Sequence, residues 1–263
     1  MKIYFKSILY IFVSFTVLIS YVSESYAQNV WTSDTGYVLP RKTLETGVFQ
    51  NTAYGITDTL EVGTHPLLFF IYPQGYVKKQ WFKSNNLAFS SRHGMGIPTL
   101  LLNLLAREGT GGIYPADMKA PFVLSHFHEA SVTYKFNKKF IVSGTGDLNH
   151  ALTSGGSRFA TVDMPLVYSR TAHWYEDNWY ARVGIDIQGS INEWITYLID
   201  IDYFFLPSYP SYINIEHKGA LRFLFKKGRY GIVAGYKMVF GTYPFGKQFH
   251  IIPFADFTFR FNL

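Results

Sequence analysis

The residues best suited to chemistry lie in the middle of the chain. His150 follows Asp147 and precedes Ser154 and Ser157. A hydroxyl, an imidazole and a carboxylate are the parts of an acyl-transfer site, in which the ring takes the hydroxyl proton and the carboxylate orients the ring. The spacing matches no motif, so these residues are candidates on type alone. His93, in Ser91-Arg-His-Gly-Met-Gly96, is a second candidate base. His126 and His128 are two apart, which places both rings on one face of a strand and suits metal ligation. That face continues through Val132 and Tyr134, so the pair reads as interface histidines, and no metal or cofactor is predicted. Gly94-Met-Gly96 and Gly155-Gly156 lack the strand–loop–helix context of a phosphate loop.

A larger set of polar groups sits on alternate positions of apolar segments. Arg182, Asp186, Asp200, Asp202, Glu216, Lys218, Arg222, Lys237, Asp256 and Arg260 fall on the polar face in the second half of the chain. Glu45, Glu61, Asp147 and Asp163 do so in the first half. Both signs occur. If that face is enclosed, the charges must pair. The enclosed face is then either an ion-pair network filling a narrow interior or a polar lumen that lets a small solute bind or pass.

The elements that carry these charges are strands. Trp179, Ala181, Val183, Ile185 and Ile187 alternate with Tyr180, Arg182, Gly184, Asp186 and Gln188, a period of two. Similar alternation runs through 42–50, 59–64, 122–136, 139–148, 194–205, 212–225 and 230–240, with weaker candidates at 76–83 and 87–95. Asn51–Asp58 and Asn149–Ser157 read as turns, Arg158–Arg170 as a strand, and Lys226-Lys-Gly-Arg229 as a tight hairpin. Residues 98–106, PTLLLNLLA, fit either a strand extension or a short interfacial helix. Residues 107–121, with three Gly, read as a loop, and 28–41 as a short lead-in outside the strands.

The final strand settles where the apolar face points. Phe257, Phe259, Phe261 and Leu263 alternate with polar residues up to the chain end, leaving no later segment to cover them. In lipid a strand survives only in a closed barrel. This terminal aromatic row resembles the C-terminal strand of Gram-negative outer-membrane β-barrels, although that family usually ends in Phe or Trp rather than Leu. The resemblance implies an all-β, antiparallel up-and-down transmembrane barrel of about twelve strands, ten being the alternative. It also implies recognition of the last strand by the barrel-assembly machinery. Outer-membrane lipids and lipopolysaccharide are the implied partners. A soluble β-sandwich or lipocalin-like barrel is the rival, and would turn the apolar face inward.

Composition agrees. Aromatic residues are 19% and charged residues 16% of the 263-residue chain, against roughly a quarter charged in ordinary domains. Aromatic excess suits membrane-interface girdles. The net charge of +6 comes from scattered residues with no long basic run, so nucleic acid is not an expected partner. There is no Cys, hence no disulfide and no lipoprotein anchor. Lys2 and Lys6, the apolar run Ile8–Val22 and the small-x-small signal Ser25-Tyr26-Ala27 form a secretory signal peptide over 1–27, with the mature barrel beginning at Gln28.

These features specify class and address. Function stays open among three readings: a pore or transporter for a small solute of unknown identity, a lipid-modifying hydrolase, and a non-conducting structural or adhesion barrel. Phospholipase and lipid A deacylase barrels use a Ser/His pair, which is what the resemblance contributes to the second.

Overall fold

Alternating strands closed into a barrel satisfy every backbone hydrogen bond without leaving an edge. The computed structural model of the chain, which describes residues 31–106, 108, 120–154, 165–174, 179–207, 212–243 and 246–263, shows that closure. The strands are β1 (Thr43–Gly47), β2 (Thr52–Thr57), β3 (Leu60–Thr64), β4 (Gln74–Lys83), β5 (Leu87–Gly96), β6 (Val123–Lys135), β7 (Phe140–Thr153), β8 (Trp179–Ser190), β9 (Ile195–Phe205), β10 (Asn214–Phe225), β11 (Tyr230–Tyr243) and β12 (Gly246–Asn262). Each pairs antiparallel with its sequence neighbours, and β12 returns to pair with β1. The seam is fixed by the register Leu44↔Phe261 and Glu45↔Arg260, with Arg260 bonded to Glu45 across it.

The apolar face is outside. Val183, Ile185, Ile251 and Phe257 are each more than half exposed, whereas Glu216, Asp202 and Arg222 on the opposite face are nearly sealed from solvent. A sandwich or lipocalin-like barrel has the reverse arrangement. The exposed apolar belt and buried charged interior are those of a transmembrane barrel.

The barrel has two unlike ends. The connections at 58–59, 84–86, 136–139, 191–194 and 226–229 are short and share one end with the start of β1 and the end of β12. The long connections 65–73, 97–122, 154–178 and 206–213 lie at the other. At the short end, Lys226, Lys227 and Gly228 all have positive φ (48°, 59° and 82°), and the hairpin turns at the Lys-Lys-Gly triplet.

Several local expectations change. Residues 52–57, expected in a turn, form β2. Residues 98–106 contain the helix α1 (Thr99–Leu105), whose Leu102 packs with Val123, Ala151 and Trp174. β7 continues to Thr153, so His150 lies within a strand rather than in a turn. Part of the expected strand 158–170 is helix α2 (Pro165–Thr171), followed by a 3₁₀ turn (Ala172–Trp174). Its anchors are Tyr168 and Ala172, which are buried among Tyr180, Phe204, Leu206 and Tyr243. Residues 158–164, with Asp163, and the expected signal peptide 1–27 lie outside the described residues.

The lead-in is the largest difference. Residues 31–40 run inside the barrel rather than outside it. Trp31 packs against the inward Leu198, Ala220 and Val233, and its backbone N–H donates to Gln188 Oε1 at 3.1 Å. Lys78 Nζ donates to the Thr32 carbonyl at 2.5 Å, and Gln80 Nε2 to the Gly36 carbonyl at 2.8 Å. The Gly36 N–H donates to Thr133 Oγ1 at 2.7 Å, and the Leu39 N–H to Glu61 Oε2 at 2.9 Å. An irregular segment enclosed in a barrel needs partners for its backbone polar groups, and these inward side chains supply them.

Candidate functional site

Inward positions on adjacent strands meet at one level of the barrel because antiparallel register sets them side by side. Arg92 lies opposite Glu129, Glu129 opposite Asp147, and Asp147 opposite Arg182. The side chains follow the register. Arg92 reaches Glu129 at 2.5 Å, and Arg182 reaches Asp147 at 2.7 Å, Asp202 at 2.9 Å and Glu129 at 3.4 Å. Arg182 is thus a hub, and its planar fork of donors suits several carboxylates at once.

Two groups from outside the wall complete this network. Asp34, on the inserted segment, stands 3.6 Å from Arg182 and 3.8 Å from Arg92. Burial alone raises its pKa, but the Arg182 and Arg92 guanidiniums outweigh that and hold the carboxyl well below the usual carboxylate range. Arg170, on α2, comes from the long-loop end and bonds Glu216 at 2.7 Å and Asp202 at 3.0 Å. Burial opposes its charge, and the neighbouring Glu216 and Asp202 carboxylates more than restore it.

Between these two insertions remains a cavity of about 340 Å³, lined by Asp34, Arg92, Arg170, Arg182, Asp202, Glu216, Lys218 and Lys237 among others. Lys218 pairs with Asp200 at 2.6 Å and Lys237 with Glu216 at 2.9 Å. Asp186 faces inward directly opposite Asp200. Nearer the short end, Arg222 approaches Glu45 at 3.4 Å and lies 5.6 Å from the Trp31 ring centroid. Asp256 accepts from the Val48 and Phe49 N–H groups at 2.9 and 3.1 Å, near the β1–β2 turn.

The sequence candidates therefore separate into groups. Arg182, Asp200, Asp202, Glu216, Lys218 and Lys237 converge on the cavity. Arg222 and Arg260 belong to the Glu45 cluster below it, and Asp256 caps a turn. Phe257, Phe259 and Phe261 line the outside of the seam strand, and Leu263 donates its N–H to the Lys42 carbonyl. Asp34, Arg92 and Arg170 are the members that sequence reading missed. Arg92 carried a usable signal, since a lone arginine inside an alternating segment calls for an acidic neighbour. Asp34 and Arg170 carried none, because neither lies in a strand.

The Asp147–His150–Ser154 constellation is not formed. Asp147 points inward and His150 outward, as their odd separation on one strand requires. Ser154 Oγ instead accepts the Phe122 N–H at 3.1 Å. His150 Nε2 is 3.1 Å from His126 Nδ1, and His93 Nδ1 is 2.9 Å from His128 Nδ1, all on the outer wall. Among the described residues no group of three or more His, Asp or Glu is arranged to hold a metal.

No protein-family model matches the chain, and no curated protein matches it. Solved structures do align with it. The KdgM porin in complex with disordered oligogalacturonate aligns over 83% of this chain and 92% of its own, at 10% identity and a TM-score of 0.36. A bacterial polysaccharide outer membrane secretin aligns over 85% and 77%, at 10% identity and a TM-score of 0.44. OmpT of Vibrio cholerae aligns over 80% of this chain but only 62% of its own, at 10% identity and a TM-score of 0.42. Likeness at this level concerns architecture. With its closed twelve-strand ring, apolar exterior and charged interior, the chain is a β-barrel of the outer-membrane type.

Proposed function

We propose that the protein is a gated outer-membrane conduit for a small polar solute. The observation that carries this reading is the charged cavity of about 340 Å³ held between the inserted segment 31–40 and helix α2. A structural filler gains nothing from such a space, whereas a solute route needs one. The short-turn end, where the barrel's two chain ends lie, is assigned to the periplasm and the long loops to the cell exterior. The segment preceding Thr43 then plugs the lumen from the periplasmic side, after removal of the signal peptide near Ala27.

The cavity wall alternates both signs at close range. A solute carrying both charges, or several hydroxyls, can exchange its hydrogen bonds with such a wall without leaving a buried charge unpaired. A long apolar ligand cannot. The test is liposome swelling with the purified mature barrel, comparing zwitterionic amino acids, neutral sugars and a purely apolar solute. Swelling with the first two supports the reading. Absence of swelling with every solute, for the native chain and for a variant lacking residues 28–38 alike, leaves a non-conducting barrel.

A further inference from the structure

The outer wall carries a polar island that a conduit does not use. It lies on β5 and β6, facing lipid. Met95, Val132 and Leu148, all about half exposed, border it on three strands. Ionisable side chains on a lipid-facing surface are costly, and their presence there points to a site.

The island is joined by hydrogen-bond contacts running from Trp81 through Ser91 and His93 to His128. Trp81 Nε1 has only a proton to give, and it donates to Ser91 Oγ at 2.8 Å. The Ser91 hydroxyl keeps its own proton and can give it to His93 Nε2, 3.1 Å away. In the tautomer that accepts from Ser91, His93 carries its own proton on Nδ1, which lies 2.9 Å from His128 Nδ1. Nucleophile, base and orienting acceptor are in line, each at hydrogen-bond distance, which is the arrangement by which such sites are recognised irrespective of chain order. The strand geometry produces it. Ser91 and His93 are two apart on one face of β5, and His128 is the cross-strand partner of His93. Lys79 is the cross-strand partner of Ser91 on the other side, and its ammonium donates to Thr59 Oγ1 at 3.2 Å, away from the hydroxyl.

We propose that Ser91, His93 and His128 form an acyl-ester hydrolase site that takes its substrate from the surrounding membrane lipid. Ser91 Oγ adds to the ester carbonyl carbon while its proton passes to His93 Nε2. The carbonyl oxygen becomes an oxyanion beside the Trp81 N–H, the donor nearest Ser91 Oγ. Collapse of this intermediate breaks the carbon–oxygen bond to the alcohol portion, which leaves with the proton from His93 Nε2. The acyl group remains on Ser91. Water then adds to it, giving one proton to His93, and collapse returns that proton to Ser91 and releases the fatty acid. The sum is ester plus water to acid plus alcohol. His128 touches no reacting atom. It is a positioning residue, holding the His93 tautomer with Nε2 free to accept.

The site stands apart from the lumen and does not depend on solute passage. The test uses the full mature barrel in mixed micelles of phosphatidylethanolamine and dodecyl maltoside, with folding checked by the heat-dependent gel shift. Two readouts are taken: fatty-acid release, and labelling by a fluorophosphonate mapped to its peptide. The native chain is expected to release fatty acid and to be labelled on Ser91. Ser91→Ala loses both. His93→Gln lowers kcat by roughly 100-fold or more. His128→Phe lowers kcat with KM unchanged, and His128→Asn, which restores an acceptor, recovers much of the loss. A folded native barrel that neither releases fatty acid nor labels at Ser91 overturns the proposal, as does hydrolysis that survives in Ser91→Ala.

Discussion

The Asp34 carboxylate lies 3.6 Å from the Arg182 guanidinium, and so ties a segment outside the sheet to the middle of the barrel wall. Arg182 is 5% exposed and already serves Glu129, Asp147 and Asp202, so Asp34 joins an existing network rather than founding one. The Arg182 network holds together without the segment, whereas Asp34 depends on the wall for its cations. That asymmetry makes the insertion the movable part.

Replacing Asp34 by Asn is therefore expected to release the segment and leave the barrel standing. The lost pairings are intermediate between exposed and buried ones, about 1–2 kcal/mol, or roughly tenfold in the population of the inserted state. Limited proteolysis checks this. Cleavage near Arg41 should accelerate by about that factor, with no change in the unfolding midpoint of the barrel.

Steric displacement should act in the same direction. A Cβ built on Gly36 falls 2.4 Å from the Ala88 carbonyl oxygen, a backbone atom that cannot swing aside. Gly36→Leu is expected to expel residues 31–40 without removing any charge. Fluorescence of a label at Thr32 should shift toward the solvent-exposed value in that variant and stay buried in the native chain.

Arg182 should behave oppositely to Asp34. Arg182→Leu leaves Asp147, Glu129 and Asp202 facing one another without their shared cation. Breaking a buried pair from one side costs about 3–5 kcal/mol. Urea unfolding of the folded barrel is expected to shift by that amount, and an unchanged midpoint would show that the network contributes little.

Helix α2 has its own pH dependence. His173, in the 3₁₀ turn after it, is 2% exposed, and its Nε2 lies 2.8 Å from Ser125 Oγ. Burial, with a smaller contribution from His150, lowers its pKa to about 3. A histidine whose folded value is depressed contributes stability fully above its unfolded value of about 6.5, and loses it as the pH falls toward 3. Docking of 165–174 should loosen across that window. Trp174 fluorescence should report it in the native chain, and His173→Phe should flatten the profile. The lumen carboxylates are common to both proteins, so the difference isolates His173.

The seam offers a fifth test. Phe259 and Phe261 stand opposite Thr46 and Leu44, and Arg260 binds Glu45. Phe261→Asp places a charge on the lipid side of the closing strand, at a cost of up to a few kcal/mol depending on depth. The folded fraction after assembly should fall, while Phe49→Asp in the turn should have less effect.

The sequence made the wall legible because lipid outside and charge inside impose a period of two on every long strand. Trp179–Ile187 and the terminal strand needed no tertiary information. β2 was obscured by its brevity and by Gly55 and Thr57, which read as turn residues. Within the expected strand 158–170, residues 165–170 belong to a helix that packs into the lumen through Tyr168 and Ala172, and so short an apolar run carries no clear period. Segment 31–40 shows neither alternation nor helical period. Its position is dictated by hydrogen bonds to Thr133, Gln80 and Glu61 from three different strands, and such long-range pairings leave no mark on local pattern. The histidine candidates rest on residue type alone, and strand parity separates His150 from Asp147.

Single-channel recording in a planar bilayer tests the gated conduit most directly. The mature native barrel is compared with Gly36→Leu and with a chain lacking residues 28–38, and a boiled sample serves as control. The account predicts a largely silent native barrel with brief openings, and long-lived conductance steps in both variants. Native steps as large and as long as those of the variants would contradict a gate formed by residues 31–40, and silence from all three would contradict a conducting lumen.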